Sequence, residues 1–482
     1  MSKKKNKIQI EFIGNNATDV TGSATLISFG DRKILFECGG IQEGKTIYDN
    51  YKLNRKMLSK IKSKEIDMII GGHFMHYDHG GNVCSIFRNN PNIRIITSAN
   101  TKGILREMWL DSAGISERDC ELLRRKYPNK IFEPYYYESD VMSALDNVEE
   151  YSEGEIHKLD ENISIRYTSS GHIFQAMQCE LFINYNNHVH KILFTSDLGN
   201  VKIQDMKPFV KKFEPVLKSN LVIAETTYGS KDNIKINQKI IDKDIQKIKT
   251  AIEQYCVEQN RRVLMPIFSL DKCPNVLWII YQLFKDYPNF TTKIVVDSPL
   301  TNRLLDEYEK VLEGEAKDKF EEMLHWKNLI RIVDPNDSKN AMANMKNVCV
   351  LSSGGMLQSG RSVRWAESLL PHSNDCLILS GYCGVNTLGY KIKNYSSNKT
   401  ININGKPVKN RCQIVILSSL SSHMQRDDLL KYYKSMYTEK ICLVHGDMDG
   451  KIEFAEDLKK EICDMSKTTK VCVVNKGTKI SL

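Results

Sequence analysis

Between Gly71 and Gly81 the chain reads GGHFMHYDHGG, three histidines and an aspartate within seven residues, flanked by paired glycines. No other stretch restricts the fold as strongly. Several imidazoles and a carboxylate crowded onto one tight loop are costly to bury unless their charge is balanced. A divalent metal balances it, and takes neutral imidazole nitrogens and carboxylate oxygens as ligands. The flanking glycines let the backbone turn sharply. Other histidines extend the pattern. His73, His76, His79, His172, His423 and His445 all fall at strand ends in Gly-, Ser- or Asp-rich contexts, whereas His157, His188, His190, His325 and His372 do not.

Strand patterns dominate the first 200 residues, among them KIQIEFIG, SATLISFG, KILFEC, IDMIIGG, ISIRYTS and HKILFTS. They are short, β-branched and bounded by turn formers. From residue 217 onward, LVIAE, RRVLMPIF, KIVVDS, CVLSS and CLILSGY alternate with long helical stretches such as CPNVLWIIYQLFKDY. That alternation predicts βα crossovers and a parallel sheet. The last 70 residues return to QIVILSS, KICLVHG and KVCVVNK. The chain is therefore expected to be α/β, with residues 217–410 inserted into a domain built from 1–216 and 411–482.

No apolar run approaches the roughly 20 residues that span a bilayer, and MSKKKNKIQIEF lacks the apolar region of a signal peptide. No membrane partner is expected. The 13 cysteines form no Cys-x-x-Cys pair and many sit in apolar strands. They predict buried thiols in a reducing, cytoplasmic setting and argue against a cysteine-ligated zinc. The formal charge of +9 permits a polyanionic partner.

The motifs carry a resemblance. HFMHYDHGG resembles the His-x-His-x-Asp-His-x-Gly signature of the metallo-β-lactamase fold, and KILFECGG, SSGHIF, ILFTSDLG and ICLVHGD resemble its other motifs, in order. Within the insert, AETTYGS and SSGGMLQSGR resemble motifs of the β-CASP nucleases, and GYCGVNTLG and LSSHMQRDDLL resemble the stretches leading to their second histidine. Similarity extends from about Ile8 to about Glu461, and is to both the bacterial RNA-degrading members and the endonuclease of pre-mRNA 3′-end processing.

The resemblance implies an αββα metallo-β-lactamase sandwich with an inserted α/β β-CASP domain. It implies two Zn2+ per chain, one held by His73, His76 and His172, the other by Asp78, His79 and His445, with Asp197 bridging. Asp78 then counts as catalytic as well as a ligand. His423 becomes the acid that protonates the leaving oxygen, with Glu225 hydrogen-bonded to it. Phosphate contacts are expected from Ser353, Gly355, Met356, Ser359, Gly360 and Arg361. The implied reaction is two-metal hydrolysis of RNA, leaving a 5′-phosphate and a 3′-hydroxyl. Histidine at position 445 is the residue RNA-acting members usually carry. A homodimer is compatible with the resemblance.

The chain departs from the pattern in several places. Glu37 stands where Asp is usual and would orient the metal loop with one methylene more. Phe174 and Met177 replace small residues, Gln425 replaces an acid, and Asp271-Lys272 replaces Gly-Arg. In the metal loop, counting back from Asp78-His79 puts the first histidine at Phe74, whereas counting forward from the strand puts it at His73. One inserted residue, Phe74 or Met75, reconciles the counts; the alternative is a lost ligand. Two other readings stay open: a non-cleaving member that binds RNA or a partner, and a metallohydrolase acting on DNA or a small phosphodiester.

Overall fold

The computed structural model of the protein describes residues 7–233, 235–381, 383–394 and 399–482; residues 1–6, including part of the basic N-terminus, and Tyr382 of the GYCGVNTLG motif lie outside them. The chain divides into two compact units, one comprising 1–201, 211–233 and 423–482, the other 202–210 and 234–422.

The first unit contains two seven-stranded sheets. One carries Gln9–Phe12, Thr25–Phe29, Arg32–Phe36, Met68–Ile70, Arg94–Ser98 and Val148–Tyr151, with Lys479–Ser481 at its edge. The other runs from Lys470–Val473 through Lys440–Val444, Leu221–Glu225, His188–Phe194, Met177–Tyr185 and Ile163–Ser169 to His157–Lys158. Alternating residues of each sheet meet in one core that includes Ile10, Ile27, Ile70, Ile165, Leu181 and Cys442. Phe36 and Phe194 stack across it with ring centroids 3.6 Å apart. The opposite face of the second sheet is covered by the helices Arg426–Ser435 and Met448–Asp464, through Leu429, Phe454 and Leu458 against Leu193, Val222 and Ala224. On the first sheet, Leu35, Ile69 and Ile95 point the other way and are equally buried. This is the αββα sandwich that the resemblance of the motifs implies.

Leu221–Glu225, grouped in the sequence with the strands of the insert, pairs in parallel with both His188–Phe194 and Lys440–Val444 and belongs to the second sheet. Its run LVIAE is buried throughout, as an interior parallel strand requires. This pairing carries Glu225 into the first unit.

The second unit holds a six-stranded sheet in the order Leu329–Ile332, Lys293–Asp297, Val348–Ser353, Arg262–Ile267, Cys376–Leu379, Gln413–Ile416. Every pairing in it is parallel. Helices Lys272–Phe284, Pro299–Val311 and Arg361–Leu369 lie among its crossovers, as the strand–helix alternation predicts. Among the described residues, no helix is long and apolar enough to cross a membrane. All 13 cysteines are free thiols and 11 are buried.

Candidate metal centre

The second sheet and the metal loop deliver their polar residues to one place. His73 follows the strand Met68–Ile70, His172 follows Ile163–Ser169, Asp197 follows His188–Phe194 and His445 follows Lys440–Val444. Two groups of ligand atoms result, each within 4.8 Å: His73, His172 and Asp197, and Asp78, His79, Asp197 and His445. Asp197 belongs to both. Its Oδ2 lies 3.6 Å from His172 Nε2 and 4.0 Å from His73 Nε2, while its Oδ1 lies 3.2 Å from His79 Nε2 and 3.4 Å from His445 Nδ1.

The donor set fits metal. Neither ring nitrogen of the fully buried His73 has a hydrogen-bond partner, nor does Nε2 of His79 or His445. Buried imidazole nitrogens are seldom left unmatched unless a ligand takes them. Burial, reinforced by the neighbouring His79, holds His73 well below the ordinary histidine range, so it is neutral and ligand-ready. Burial opposes charge on His445 as well, but the Asp197 and Asp78 carboxylates outweigh it and push the imidazole up to about 9.

The one-residue surplus in the loop is taken up locally. His76 N–H donates to His73 O at 3.3 Å, closing a turn over Phe74 and Met75, both of which are buried. His73 thereby occupies the inner position and Phe74 packs into the interior. His76 does not join either ligand group. Its Nδ1 meets the Asp78 carboxylate, its ring lies parallel to that of His73 at 5.6 Å, and its side chain is 45% exposed. The paired glycines are required by close approach. A Cβ on Gly72 would sit 2.0 Å from Met177 O, and one on Gly39 only 1.6 Å from Asp78 O.

Glu37 reaches the site despite its extra methylene. Its backbone is left-handed, with φ of 59°. Its Oε2 accepts from Ser23 Oγ at 2.6 Å and lies 2.7 Å from His79 Nδ1, and its Oε1 accepts from Ser196 Oγ at 3.0 Å. Ser196 and His445 are left-handed too, with φ of 46° and 52°. Non-glycine residues in that region are uncommon and gather where a site dictates the backbone. Thr227 Oγ1, 2.9 Å from His445 Nδ1, turns Nε2 of that ring toward Asp78, 3.6 Å away. Ser23, Ser196 and Thr227 were not singled out from the sequence. Thr227 lies in the motif AETTYGS and Ser196 in ILFTSDLG, whereas Ser23 lies in none.

His423 enters this unit beside the centre, its backbone bridged to Gly199 and its ring 4.4 Å from that of His172. The expected hydrogen bond to Glu225 is not formed: His423 Nδ1 is 3.9 Å from Glu225 Oε1. The physical reason is competition. Glu225 Oε1 already accepts from the Leu198 amide at 3.0 Å and Oε2 from the Thr227 amide at 2.8 Å. Gln425, in place of an acid, donates to His423 O at 3.3 Å.

In the second unit, SSGGMLQSGR closes the strand Val348–Ser353 with left-handed turns at Gly354 and Gly360. Ser359 and Gly360 are exposed, Ser353 and Met356 are half-buried and Gly355 is buried. Arg361 turns inward, contrary to the expectation that it meets phosphate. It donates to the buried Asp297 carboxylate at 2.6 Å and to Val333 O at 2.5 Å. Asp297 also accepts from Trp365 Nε1 and Ser338 Oγ, both at 2.6 Å, so the guanidinium neutralises a carboxylate that would otherwise be buried and charged.

The arrangement separates the roles of the loop histidines. His73→Ala is expected to weaken one bound zinc by at least about tenfold and leave the other in place, whereas His76→Ala leaves both within a few-fold. Zinc titration by competition with a chromogenic chelator reads the difference. Equal behaviour of the two variants would contradict the geometry.

Comparison with known proteins agrees with this architecture. Residues 275–392 match the Beta-Casp domain family, and residues 407–469 match a family described as Zn-dependent metallo-hydrolase RNA specificity domain. Ribonuclease TTHA0252 of Thermus thermophilus is 24% identical over 439 residues, covering 89% of this chain and 91% of that protein. An RNase J-like protein of Methanocaldococcus jannaschii is 23% identical over 412 residues, covering 84% and 87%. Cleavage and polyadenylation specificity factor 73 of Drosophila melanogaster is 23% identical over 449 residues, covering 92% of this chain and 60% of that longer protein. The crystal structure of an Enterococcus faecalis V583 protein of unknown function superposes over 99% of this chain and 100% of its own, with a TM-score of 0.55 and 14% identity.

Proposed function

Because the chain belongs to the β-CASP branch of the metallo-β-lactamase-fold nucleases, we propose that it is a zinc-dependent ribonuclease. It hydrolyses RNA phosphodiester bonds at a two-metal site and leaves 5′-phosphate and 3′-hydroxyl ends. The observation that carries this reading is the pair of buried ligand groups sharing Asp197.

In this reading His73 and His172 would hold one zinc, Asp78, His79 and His445 the other, and Asp197, common to both groups, would serve both. Bound zinc would supply an activated water at neutral pH and draw charge from the phosphate. The chain's own residues do the rest. Glu37 and Thr227 fix the rings of His79 and His445 through their Nδ1 atoms, leaving Nε2 for the ion. His423, outside both ligand groups, donates a proton to the leaving 3′-oxygen as the P–O3′ bond breaks. Glu225, held by the Leu198 and Thr227 amides, stands 3.9 Å from that ring. The exposed turn at Ser359 and Gly360 meets the substrate backbone. Free, mostly buried thiols suit a reducing, cytoplasmic setting.

The test uses end-labelled RNA and matched DNA with purified protein, with and without chelator. Chelator-sensitive cleavage of RNA, with products that a 5′-phosphate-dependent exonuclease degrades, is expected. A ladder of internal products marks an endonuclease and mononucleotides an exonuclease. DNA cut as fast as RNA, or no cleavage with zinc bound, overturns the proposal.

A further inference from the structure

The first unit carries a second concentration of chemistry that the metal centre does not use. On the helix Ile47–Leu58 and at the carboxyl end of the helix Lys102–Lys126, tyrosines and lysines interleave. Tyr48 lies 4.9 Å from Tyr127 between ring centroids, and Tyr48 and Tyr51 both pack on Phe132, at 5.9 and 5.3 Å. Over these rings stand cations: Lys52 and Lys130 at 4.5 and 4.9 Å from Tyr48, Lys126 and Lys130 at 5.6 and 5.4 Å from Tyr127.

A small satellite core would explain part of this, and Cys120, Leu123 and Phe132 form one, fully buried. It does not explain why the three tyrosines stay half-exposed above that core, or why Ile131 beside them is 88% exposed. Nor does it explain the charge. Residues 45–62 and 121–133 hold ten lysines and arginines against three acids, Asp49, Glu121 and Glu133. A face this basic without a partner repels itself.

We propose that the face made by Tyr48, Tyr51 and Tyr127 with Lys52, Lys126 and Lys130 is an RNA-binding site outside the metal centre, and that its ligand is single-stranded RNA. The charge complements phosphate. The half-exposed rings offer stacking faces to unpaired bases, which neither a duplex nor an acidic protein surface supplies. Lysine over tyrosine keeps each ammonium at the surface while the ring carries its stem. Arg55 supports the floor instead of the ligand. It lies against Tyr51 and Tyr135 and is tied to Glu133 O at 2.6 Å. The proposal rests on the reading that the chain acts on RNA, and gives it a hold on long substrates that a short one lacks.

The test is binding of a fluorescein-labelled single-stranded RNA of mixed sequence, in excess chelator so that nothing is cut. Lys52→Gln/Lys126→Gln/Lys130→Gln should bind about tenfold more weakly at low salt. Its plot of log affinity against log salt should flatten by about 2, since each phosphate contact to a single strand contributes about 0.7. Lys-to-Arg at the same three positions should restore both. Tyr48→Leu should weaken binding with the salt slope unchanged, and hydrolysis of a nitrophenyl phosphodiester should be the same in all variants. Unchanged affinity and slope in the glutamine variant overturn the proposal, and so does a Tyr48→Leu variant that binds as well as the parent. Parent protein that binds here but cuts no RNA removes the ribonuclease reading and leaves this site standing. Parent protein that cuts RNA while the glutamine variant binds equally well removes the site and leaves the reading.

Discussion

Asp197→Ala is expected to strip the protein of metal and of cleavage together. The carboxylate is 1% exposed and is the one side chain common to both ligand groups, each of its oxygens facing a different pair of histidines. Removing it leaves His73 and His172 with no anion beside them and the other group with Asp78 alone. Residues that merely orient a metal ligand typically cost 10–100-fold in affinity when changed. A bridging ligand should cost more than roughly 100-fold, and at two sites. Cleavage at fixed zinc should then fall by at least roughly 10²-fold, the scale of a single preorganised charge-stabilising group. Elemental analysis of protein purified without chelator checks the metal, with about two zinc ions per chain in the parent as the reference. A variant that keeps both ions, or a parent preparation that cleaves RNA without any transition metal, would refute the bridging role.

His423→Ala should do the opposite to metal. The ring adjoins His172 at 4.4 Å but belongs to neither ligand group, so zinc content should stay at the parent value. RNA cleavage should drop by about 10²–10⁴-fold, the usual contribution of a general acid. The loss should shrink on a nitrophenyl phosphodiester, whose leaving group departs without a proton. This contrast separates an acid from a residue that only shapes the pocket, which would slow both substrates alike. Loss of zinc in the variant would mean instead that His423 supports the ligands.

The loop GGHFMHYDHGG shows where sequence reading stops. Spacing alone left two registers for the first histidine. The structure puts His73 in a group of ligand atoms, with a turn over Phe74 and Met75 and the Phe74 ring in the interior, and neither the turn nor the interior is visible in a linear pattern. Glu225 and Arg361 differ for a related reason. Both are charged groups in motifs, and both find nearer partners than expected: backbone amides for Glu225, a buried carboxylate for Arg361. Of the serines that hold Glu37, Ser196 sits in ILFTSDLG with nothing in the motif to mark its partner, and Ser23 lies in a segment with no signature of its own.

By itself the sequence determined the strand-rich halves, the parallel sheet of the insert and the residues that converge on a metal centre. The strands and the sheet follow from local rules, alternating or continuous apolar runs and turn formers; the converging residues follow from the crowded loop and, beyond it, from the resemblance of the motifs. The tertiary structure alone decided which histidine faces inward, which carboxylates are already satisfied, and that two helices far apart in sequence share one basic, tyrosine-lined face. A side chain's partner is whichever group lies nearest once the chain has closed its long loops, and that distance is a property of the packing.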